Sequence, residues 1–345
     1  MYTRRNFIQT AAAGLALSGL DVNMLSAAPA VNRDTDFIWA YLLMIGRNKV
    51  IDNPFGYYDR VPAEQRITWR AQTDYLRCED KAWETITQKM ADVGMNMIVI
   101  GMNEGVEFKS HPELKVRDTW SQDRFRKELD RLRKLGLEPI PKLNFSTCHD
   151  TWLKDYQRMI STPTYYRVCS DLVQETCELF DTPRFLHLGY DEETYNHQKA
   201  YEYVVIRQGE LWWHDFLFFV KEVEKCNVRP WIWSDYIWHH KDEFLQRMPK
   251  SVLQSNWYYD MGFDPNKSVY VQSFLELEKA GFDQVPTGST WAKEENFPKL
   301  VEYCREHIAP ERLKGFCQTA WTTTADVYLD KNIKALEIAG AMKKP

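Results

Sequence analysis

The 345-residue sequence lacks several features that indicate particular classes of protein. It has no basic excess: the net charge is −5 and the pI about 6.0, which argues against a nucleic-acid partner, because such proteins need a basic face. Its seven cysteines include no Cys-x-x-Cys pair, so zinc-finger spacing is missing, and we expect buried thiols that behave as small apolar residues. No low-complexity tract or linker divides the chain after residue 30.

Long apolar runs are scarce, and the one near the N-terminus belongs to a targeting pattern. The stretch Ala11–Leu20 is too short to span a bilayer as an ordinary anchor. It follows the pair Arg4-Arg5 in a twin-arginine context and precedes the small residues 26–30. We predict that residues 1–30 are a twin-arginine export signal and that residues 31–345 are one catalytic domain. The expected location is the periplasm, with no membrane span in the mature chain.

Strand and helix patterns alternate along the rest of the chain. Eight short apolar runs predict strands at residues 37–45, 96–102, 138–143, 185–189, 230–234, 252–257, 284–288 and 315–320. Helical patterns follow them at residues 80–93, 122–135, 163–180, 210–225, 241–248, 269–280, 297–307 and 330–342. Eight consecutive strand–helix units predict a single-domain α/β fold, a (β/α)8 barrel of the TIM type.

The fourth predicted strand ends in three adjacent acids, Asp191, Glu192 and Glu193. Barrel enzymes carry their catalytic groups at this end of the strands. Neighbouring carboxylates raise each other's pKa, and a carboxyl that stays protonated near neutral pH can act as a general acid. We therefore predict that Asp191 and Glu192 are catalytic residues.

Other polar and aromatic residues follow the predicted strands and belong to the same end of the barrel. Because they converge on one face, we expect them to bind substrate in a pocket with aromatic walls and acids at its floor. Such a pocket suits a pyranose, whose apolar face stacks on rings, so the expected partner is a carbohydrate, an oligosaccharide or a glycoconjugate. No cofactor or metal is expected. The predicted binding residues are Asn144, His149, Trp233, Asp235, Trp257, Tyr258, Trp291 and Trp321.

The segment His187–Glu192 resembles the His-x-Gly-x-Asp-Glu signature of glycoside hydrolase family 20, the β-N-acetylhexosaminidases. The resemblance covers about residues 80–325 and includes His149 after the third strand, Trp233 and Asp235 at the fifth, and the closing Trp321. It implies that Glu192 is the general acid/base. It also implies that Asp191 orients the substrate's 2-acetamido group, whose oxygen attacks the anomeric carbon, so that catalysis retains configuration without an enzyme nucleophile.

The sequence departs from that family at several positions. Trp39 stands where the family has an arginine that grips the sugar hydroxyls, and Thr322 replaces the acid after the final tryptophan. The His and Asp expected after the second strand are replaced around residues 100–103. These departures change residues that would recognise the sugar. They leave the Asp191–Glu192 pair in place.

Two other functions fit the same residues. One is a metal-dependent sugar isomerase or lyase, in which Glu104, His149, Asp191 and Asp235 supply oxygen and nitrogen ligands. The other is a non-catalytic carbohydrate-binding barrel that keeps only the tryptophan-lined cleft. Metal content and a chelator test the first alternative, and turnover of any glycoside tests the second.

Overall fold

Eight parallel strands form the centre of the molecule, as the sequence predicts. The computed structural model describes residues 37–49, 52, 72–199 and 201–343, so the predicted export signal lies outside the described residues. The ladder runs in the order β6-β5-β4-β3-β2-β1-β8-β7. The strands are β1 Ile38–Met44, β2 Met97–Gly101, β3 Glu138–Lys142, β4 Phe185–His187, β5 Arg229–Trp233, β6 Leu253–Ser255, β7 Thr287–Ser289 and β8 Gly315–Thr319.

The barrel closes between β6 and β7 through single bridges instead of a regular ladder. Parallel bridges join Gln254 to Gln284 and Trp257 to Thr287. The sequence predicted a longer seventh strand, residues 284–288, but the regular ladder begins only at Thr287, after Pro286, which has no backbone N–H to donate toward β6. The result is a nearly closed (β/α)8 barrel.

Within the described residues, a long helix follows each strand in turn. Their predicted bounds agree with the observed ones within about two residues, except that α5 begins four residues earlier and is kinked at His240. Side-chain oxygens cap three of the helices, with Ser121 accepting from Arg124 N, Thr162 from Tyr165 N and Ser268 from Val271 N. No helix in the described ranges is long and apolar enough to cross a membrane. The helices are α1 Asp80–Asp92, α2 Gln122–Lys134, α3 Pro163–Leu179, α4 Gly209–Lys225, α5 Ile237–Arg247, α6 Val269–Lys279, α7 Asn296–His307 and α8 Leu329–Ala341.

Alternate residues of β1 face the two sides of the barrel wall. Ile38, Ala40, Leu42 and Met44 belong to the cluster that fills the barrel interior. The residues between them belong to the larger cluster under the helices, where Trp39 packs 5.6 Å from the ring of Phe316. Both faces of the strand are therefore buried, which is why it reads as a continuous apolar run. Trp39 lies outside the barrel wall and takes no part in the pocket described below.

Candidate active site

The backbone after β4 adopts an unusual conformation that sets the direction of the two predicted catalytic acids. Gly189, Tyr190 and Glu192 all have positive φ, at 71°, 72° and 60°. Non-glycine residues pay free energy for this region, and such residues cluster at functional sites. The turn buries the Tyr190 ring and leaves Asp191 and Glu192 beside the pocket at the barrel mouth.

Asn144, one of the predicted binding residues, holds Asp191 in position and does not line the pocket. Its Nδ2 donates to Asp191 Oδ1 at 2.9 Å, its Oδ1 accepts from Ser146 N, and it is 1% exposed. The amide passes over Gly189 so closely that a Cβ on this glycine would lie 2.2 Å from Asn144 Oδ1. The glycine of the fourth-strand motif is thus required by the contact between Asn144 and Asp191.

Replacing Gly189 with alanine should destabilise the protein by roughly 2–4 kcal/mol, from the left-handed backbone and the displaced Asn144 hydrogen bond together. Gly136 is the matched control, because its φ is also positive, at 79°, but nothing lies within 4 Å of its added Cβ. Gly136→Ala should cost only the backbone part, about 1–2 kcal/mol. Urea denaturation of both variants measures the difference, and equal losses would contradict the proposed role of Asn144.

His149 joins the two acids. Its Nε2 lies 3.3 Å from Asp191 Oδ2 and 3.1 Å from Glu192 Oε2, and His197 Nε2 lies 3.3 Å from Glu192 Oε1. Burial alone would lower the pKa of His149, but the charge and hydrogen bond of Asp191 outweigh it, together with the bond to Glu192, and raise the pKa to about 9. An imidazolium therefore lies between the two carboxylates at neutral pH.

This arrangement reverses the pKa shift that adjacency alone predicts. Burial would raise the pKa of Glu192, but the hydrogen bonds from His149 and His197 lower it to about 2. The pKa of Asp191 is also held below its usual range, since His149, Lys142 and Lys49 outweigh burial. At neutral pH both acids are therefore ionised, and the proton is on His149.

The pKa of the Asp235 carboxyl is raised, by burial first and then by the charge of Asp191. Its Oδ2 accepts from Glu192 N at 2.8 Å, and its Oδ1 is buried without a hydrogen-bond partner among the described residues. Asp235 thus holds the backbone of Glu192 in place. The third acid of the motif, Glu193, forms an ion pair with the fully buried Arg207 and serves the structure of the loop.

The charge on His149 should make stability depend on pH. The folded pKa of about 9 lies above the ordinary value of 6.5, so the stabilisation is complete below about pH 6.5 and is lost as pH rises through 9. We expect a loss on the order of 3 kcal/mol across this window. His149→Gln should flatten the curve between these pH values, while the same change at the exposed His214 should leave it unaltered. Thermal melts from pH 6 to 10 measure the effect, and a parallel curve for His149→Gln would contradict it.

Two cavities with several lining residues in common lie at the barrel mouth; the smaller is here called the inner pocket and the larger the outer cavity. The inner pocket, of about 350 Å³, is lined by the polar residues Arg47, Lys49, His149, Asp191, Glu192, Asn196 and His197. Its aromatic walls are Trp233, Trp257, Tyr259, Trp291 and Trp321. The outer cavity, of about 1070 Å³, shares Glu192, His197, Trp257, Tyr259 and Trp291 with the inner pocket and is also lined by Asp235. Glu192 therefore stands where the two cavities meet.

The structure brings all four predicted tryptophans to the inner pocket, and it separates Tyr258 from them. Trp257 and Tyr259 stack at 4.9 Å, and Tyr259 lies 6.4 Å from Trp321. Tyr258 points the other way, since side chains alternate in an extended segment, and its hydroxyl donates to Gly262 O at 3.0 Å. Tyr258 contributes to the outer cavity, and Tyr259 takes the position in the inner pocket that the sequence assigned to its neighbour.

Sequence reasoning missed the basic residues of the inner pocket. Arg47 and Lys49 lie just beyond β1 and are 2% and 4% exposed, and Lys142 on β3 is 1% exposed beside the Trp233 ring. Two basic residues within four positions of the end of the predicted first strand, residue 45, were a usable signal.

The ligand set proposed for a metal-dependent enzyme is not assembled as a whole. Ligand atoms of His149, Asp191 and Glu192 lie within 4.8 Å of one another. Glu104, in contrast, accepts from the backbone amides of Arg47 and Asn48, at 2.6 and 2.8 Å. His149 Nε2 is hydrogen-bonded to both acids, and the nearby Lys49 and Lys142 oppose a second positive charge, so we assign no metal site.

No family model matches the sequence, and no curated protein matches it. Solved structures do. A GH20 exo-β-N-acetylglucosaminidase from Vibrio harveyi, in an inactive mutant form, matches with a TM-score of 0.59 and 14% identity over 89% of this chain and 54% of that one. A β-N-acetylhexosaminidase from Bacteroides fragilis matches with a TM-score of 0.59 and 11% identity, over 89% of this chain and 65% of that one. A GH20 β-N-acetylhexosaminidase from Streptomyces coelicolor A3(2) matches with a TM-score of 0.57 and 11% identity, over 88% of this chain and 64% of that one.

The chain spans about half to two thirds of the length of these solved structures. At such identities the likeness concerns the fold: this chain shares the (β/α)8 barrel of GH20 β-N-acetylhexosaminidases.

Proposed function

We propose that the chain is an exported glycoside hydrolase that acts on a 2-acetamido sugar, with Glu192 as general acid/base and Asp191 as the residue that orients the acetamido group. The observation that carries the proposal is the hydrogen-bonded set Asp191–His149–Glu192 inside an aromatic pocket at the C-terminal mouth of the barrel. The shared fold supports it. Export by the twin-arginine route to the periplasm is proposed from the sequence of residues 1–30 alone.

The inner pocket holds the sugar whose bond is cleaved, and the outer cavity holds the leaving group. The acetamido oxygen attacks the anomeric carbon while the glycosidic oxygen departs with a proton from Glu192. The Asp191 carboxylate stabilises the positive charge that develops on the acetamido group. Water then adds at the same carbon, Glu192 takes its proton, and the acetamido group is released with retained configuration.

Glu192 must be protonated before it can donate, and His149 is the neighbour that holds a proton. The two groups are 3.1 Å apart, within hydrogen-bond reach. A sugar in the inner pocket removes water from Glu192, which favours its neutral form, and the proton can pass along this hydrogen bond. His149 and Glu192 thus act as a pair that shares one proton.

Turnover of aryl glycosides tests the proposal. Purified protein should release the aryl group from 2-acetamido-2-deoxyglycosides, with undiminished rate in a chelator, and not from the matched 2-hydroxyl glycosides. Loss of activity in the chelator would favour the metal-dependent alternative. Binding of sugars without turnover would favour the non-catalytic barrel. Turnover of 2-hydroxyl sugars alone would exclude neighbouring-group attack and make Asp235 the candidate for nucleophile or base.

A further inference from the structure

The outer cavity is larger than one further sugar requires. Its volume is about 1070 Å³, about three times that of the inner pocket at about 350 Å³. If the inner pocket holds one sugar, the outer cavity therefore has room for more than one unit of similar size. Partly exposed rings line it together with the exposed side chains of His239, Asp260 and Lys267. Such a mixture suits a chain of sugars, because a pyranose has apolar faces and hydroxyl groups at its edges.

A row of five aromatic rings leads from the inner pocket into the outer cavity. The distances between successive ring centres are 6.4 Å from Trp321 to Tyr259, 4.9 Å from Tyr259 to Trp257, 4.4 Å from Trp257 to Trp238 and 4.3 Å from Trp238 to Tyr270. Trp321 lines the inner pocket, Tyr259 and Trp257 line both cavities, and Trp238 and Tyr270 line the outer cavity. The row therefore continues beyond the residues that the two cavities share.

The buried Asn256 holds the two outer rings of this row in place. Its Oδ1 accepts from Trp238 Nε1 at 2.9 Å, and its Nδ2 donates to the backbone oxygen of Tyr270 at 2.7 Å. Asn256 is 1% exposed, so water does not compete for its side chain. Because the indole N–H is bonded inside the protein, Trp238 offers the cavity its apolar surface. A ring that is already fixed loses little conformational entropy when a ligand stacks on it.

Packing of the core does not account for these two rings. Trp238 is half-buried and Tyr270 is 38% exposed, and they stand near the starts of the neighbouring helices α5 and α6, on the exit side of the barrel. Single exposed aromatic residues are common on protein surfaces and need no function. Here, however, two of them touch each other and extend a row of rings that begins in the pocket.

We propose that Trp238 and Tyr270 form a subsite for the second sugar unit of the leaving group, so that the substrate is an oligosaccharide of at least three units. This inference rests on the proposed function, because that function places the leaving group in the outer cavity. The first unit lies in the inner pocket, and the second lies beside Trp257 and Trp291, which line both cavities. The third unit then stacks on the two outer rings, and Asp260, in the same cavity, offers its hydroxyl groups an acceptor.

Calorimetric binding of β-1,4-linked N-acetylglucosamine oligomers of one to four units tests the proposal. The Glu192→Gln variant is the background for all measurements, so that the oligomers are not consumed. The trimer should bind roughly 5- to 20-fold more tightly than the dimer, the gain expected from covering one more apolar ring surface. Trp238→Ala and Tyr270→Ala should each reduce this gain to about twofold or less. Trp238→Phe should keep more of the gain than Trp238→Ala, because it keeps a ring.

Tyr203→Ala is the matched control, because it removes a ring that is 55% exposed and lines neither cavity, and it should keep the full gain. Equal affinity for dimer and trimer would overturn the inference, as would a gain that Tyr270→Ala leaves intact. The Tyr270 ring is 38% exposed, so this variant decides the question even where Trp238→Ala does not fold.

Failure of the proposed function gives a different result from failure of the subsite. In the first case, the trimer would bind more tightly than the dimer through Trp238, but wild-type protein would not cleave either oligomer. In the second case, wild-type protein would cleave dimer and trimer with the same kcat/KM. If none of the four oligomers binds, both proposals are wrong.

Discussion

Glu192→Gln should lower the rate of hydrolysis by on the order of 10³-fold for substrates with a sugar or alkyl leaving group. The amide keeps the size of the side chain but cannot give a proton to the departing oxygen. Activated aryl glycosides depart unaided, so their first step should slow by less than about tenfold. The measurement is a series of aryl and alkyl 2-acetamido glycosides of rising leaving-group pKa. For the variant, the logarithm of the rate should fall steeply along the series.

Glu306→Gln is the matched control for this substitution, because Glu306 is exposed on α7, away from the barrel mouth, and should behave as wild type throughout. An equal loss across the whole leaving-group series would reject Glu192 as the acid. Full activity in Glu192→Gln would reject the catalytic pair. The series also tests the role of His149. His149→Gln removes the group that holds the proton but keeps the Glu192 carboxyl. The logarithm of its rate should also fall with rising leaving-group pKa, but less steeply than for Glu192→Gln.

The fold was predictable because each strand is buried on both faces and each helix is amphipathic. Alternating burial along β1 makes it an unbroken apolar run, and helix stops such as Gly136 adopt the positive φ expected of a C-cap. The short strands β6 and β7 were predicted less well. Their sequence pattern continues beyond the ladder, and only the geometry of closure decides which residues pair.

The membership of the pocket was partly predictable, and its electrostatics were not. Strand ends converge in a barrel, so Trp233, Trp257, Trp291 and Trp321 could be placed on one face from the sequence. The pKa of Glu192 is lowered, not raised, because His149 donates a hydrogen bond to it. His149 is 43 residues away in the chain, and the packing of the loops brings the two side chains together. Asn144 was predicted to bind substrate because the sequence shows its position after the third strand. The sequence does not show its hydrogen bond to Asp191.

Asp191→Asn should lower the rate by roughly 10²- to 10³-fold with good and poor leaving groups alike, because positive charge develops on the acetamido group in both cases. The variant also loses structure. Asn144 Nδ2 and His149 Nε2 both donate to the Asp191 carboxylate, so an amide at position 191 directs its own donor at one of them. We expect a loss of about 1–3 kcal/mol in the free energy of unfolding.

The double variant Asp191→Asn with Asn144→Asp separates the structural loss from the catalytic one. It restores a donor–acceptor pair between the two positions, and the new carboxylate still accepts from Ser146 N. The negative charge, however, moves from the pocket wall to a position that is 1% exposed and outside the pocket. Stability should therefore return to within about 1 kcal/mol of wild type, while the rate stays low. Recovery of the rate together with stability would show that the charge of Asp191 is not required where the acetamido group binds. A loss limited to poor leaving groups would assign Asp191 to proton transfer instead.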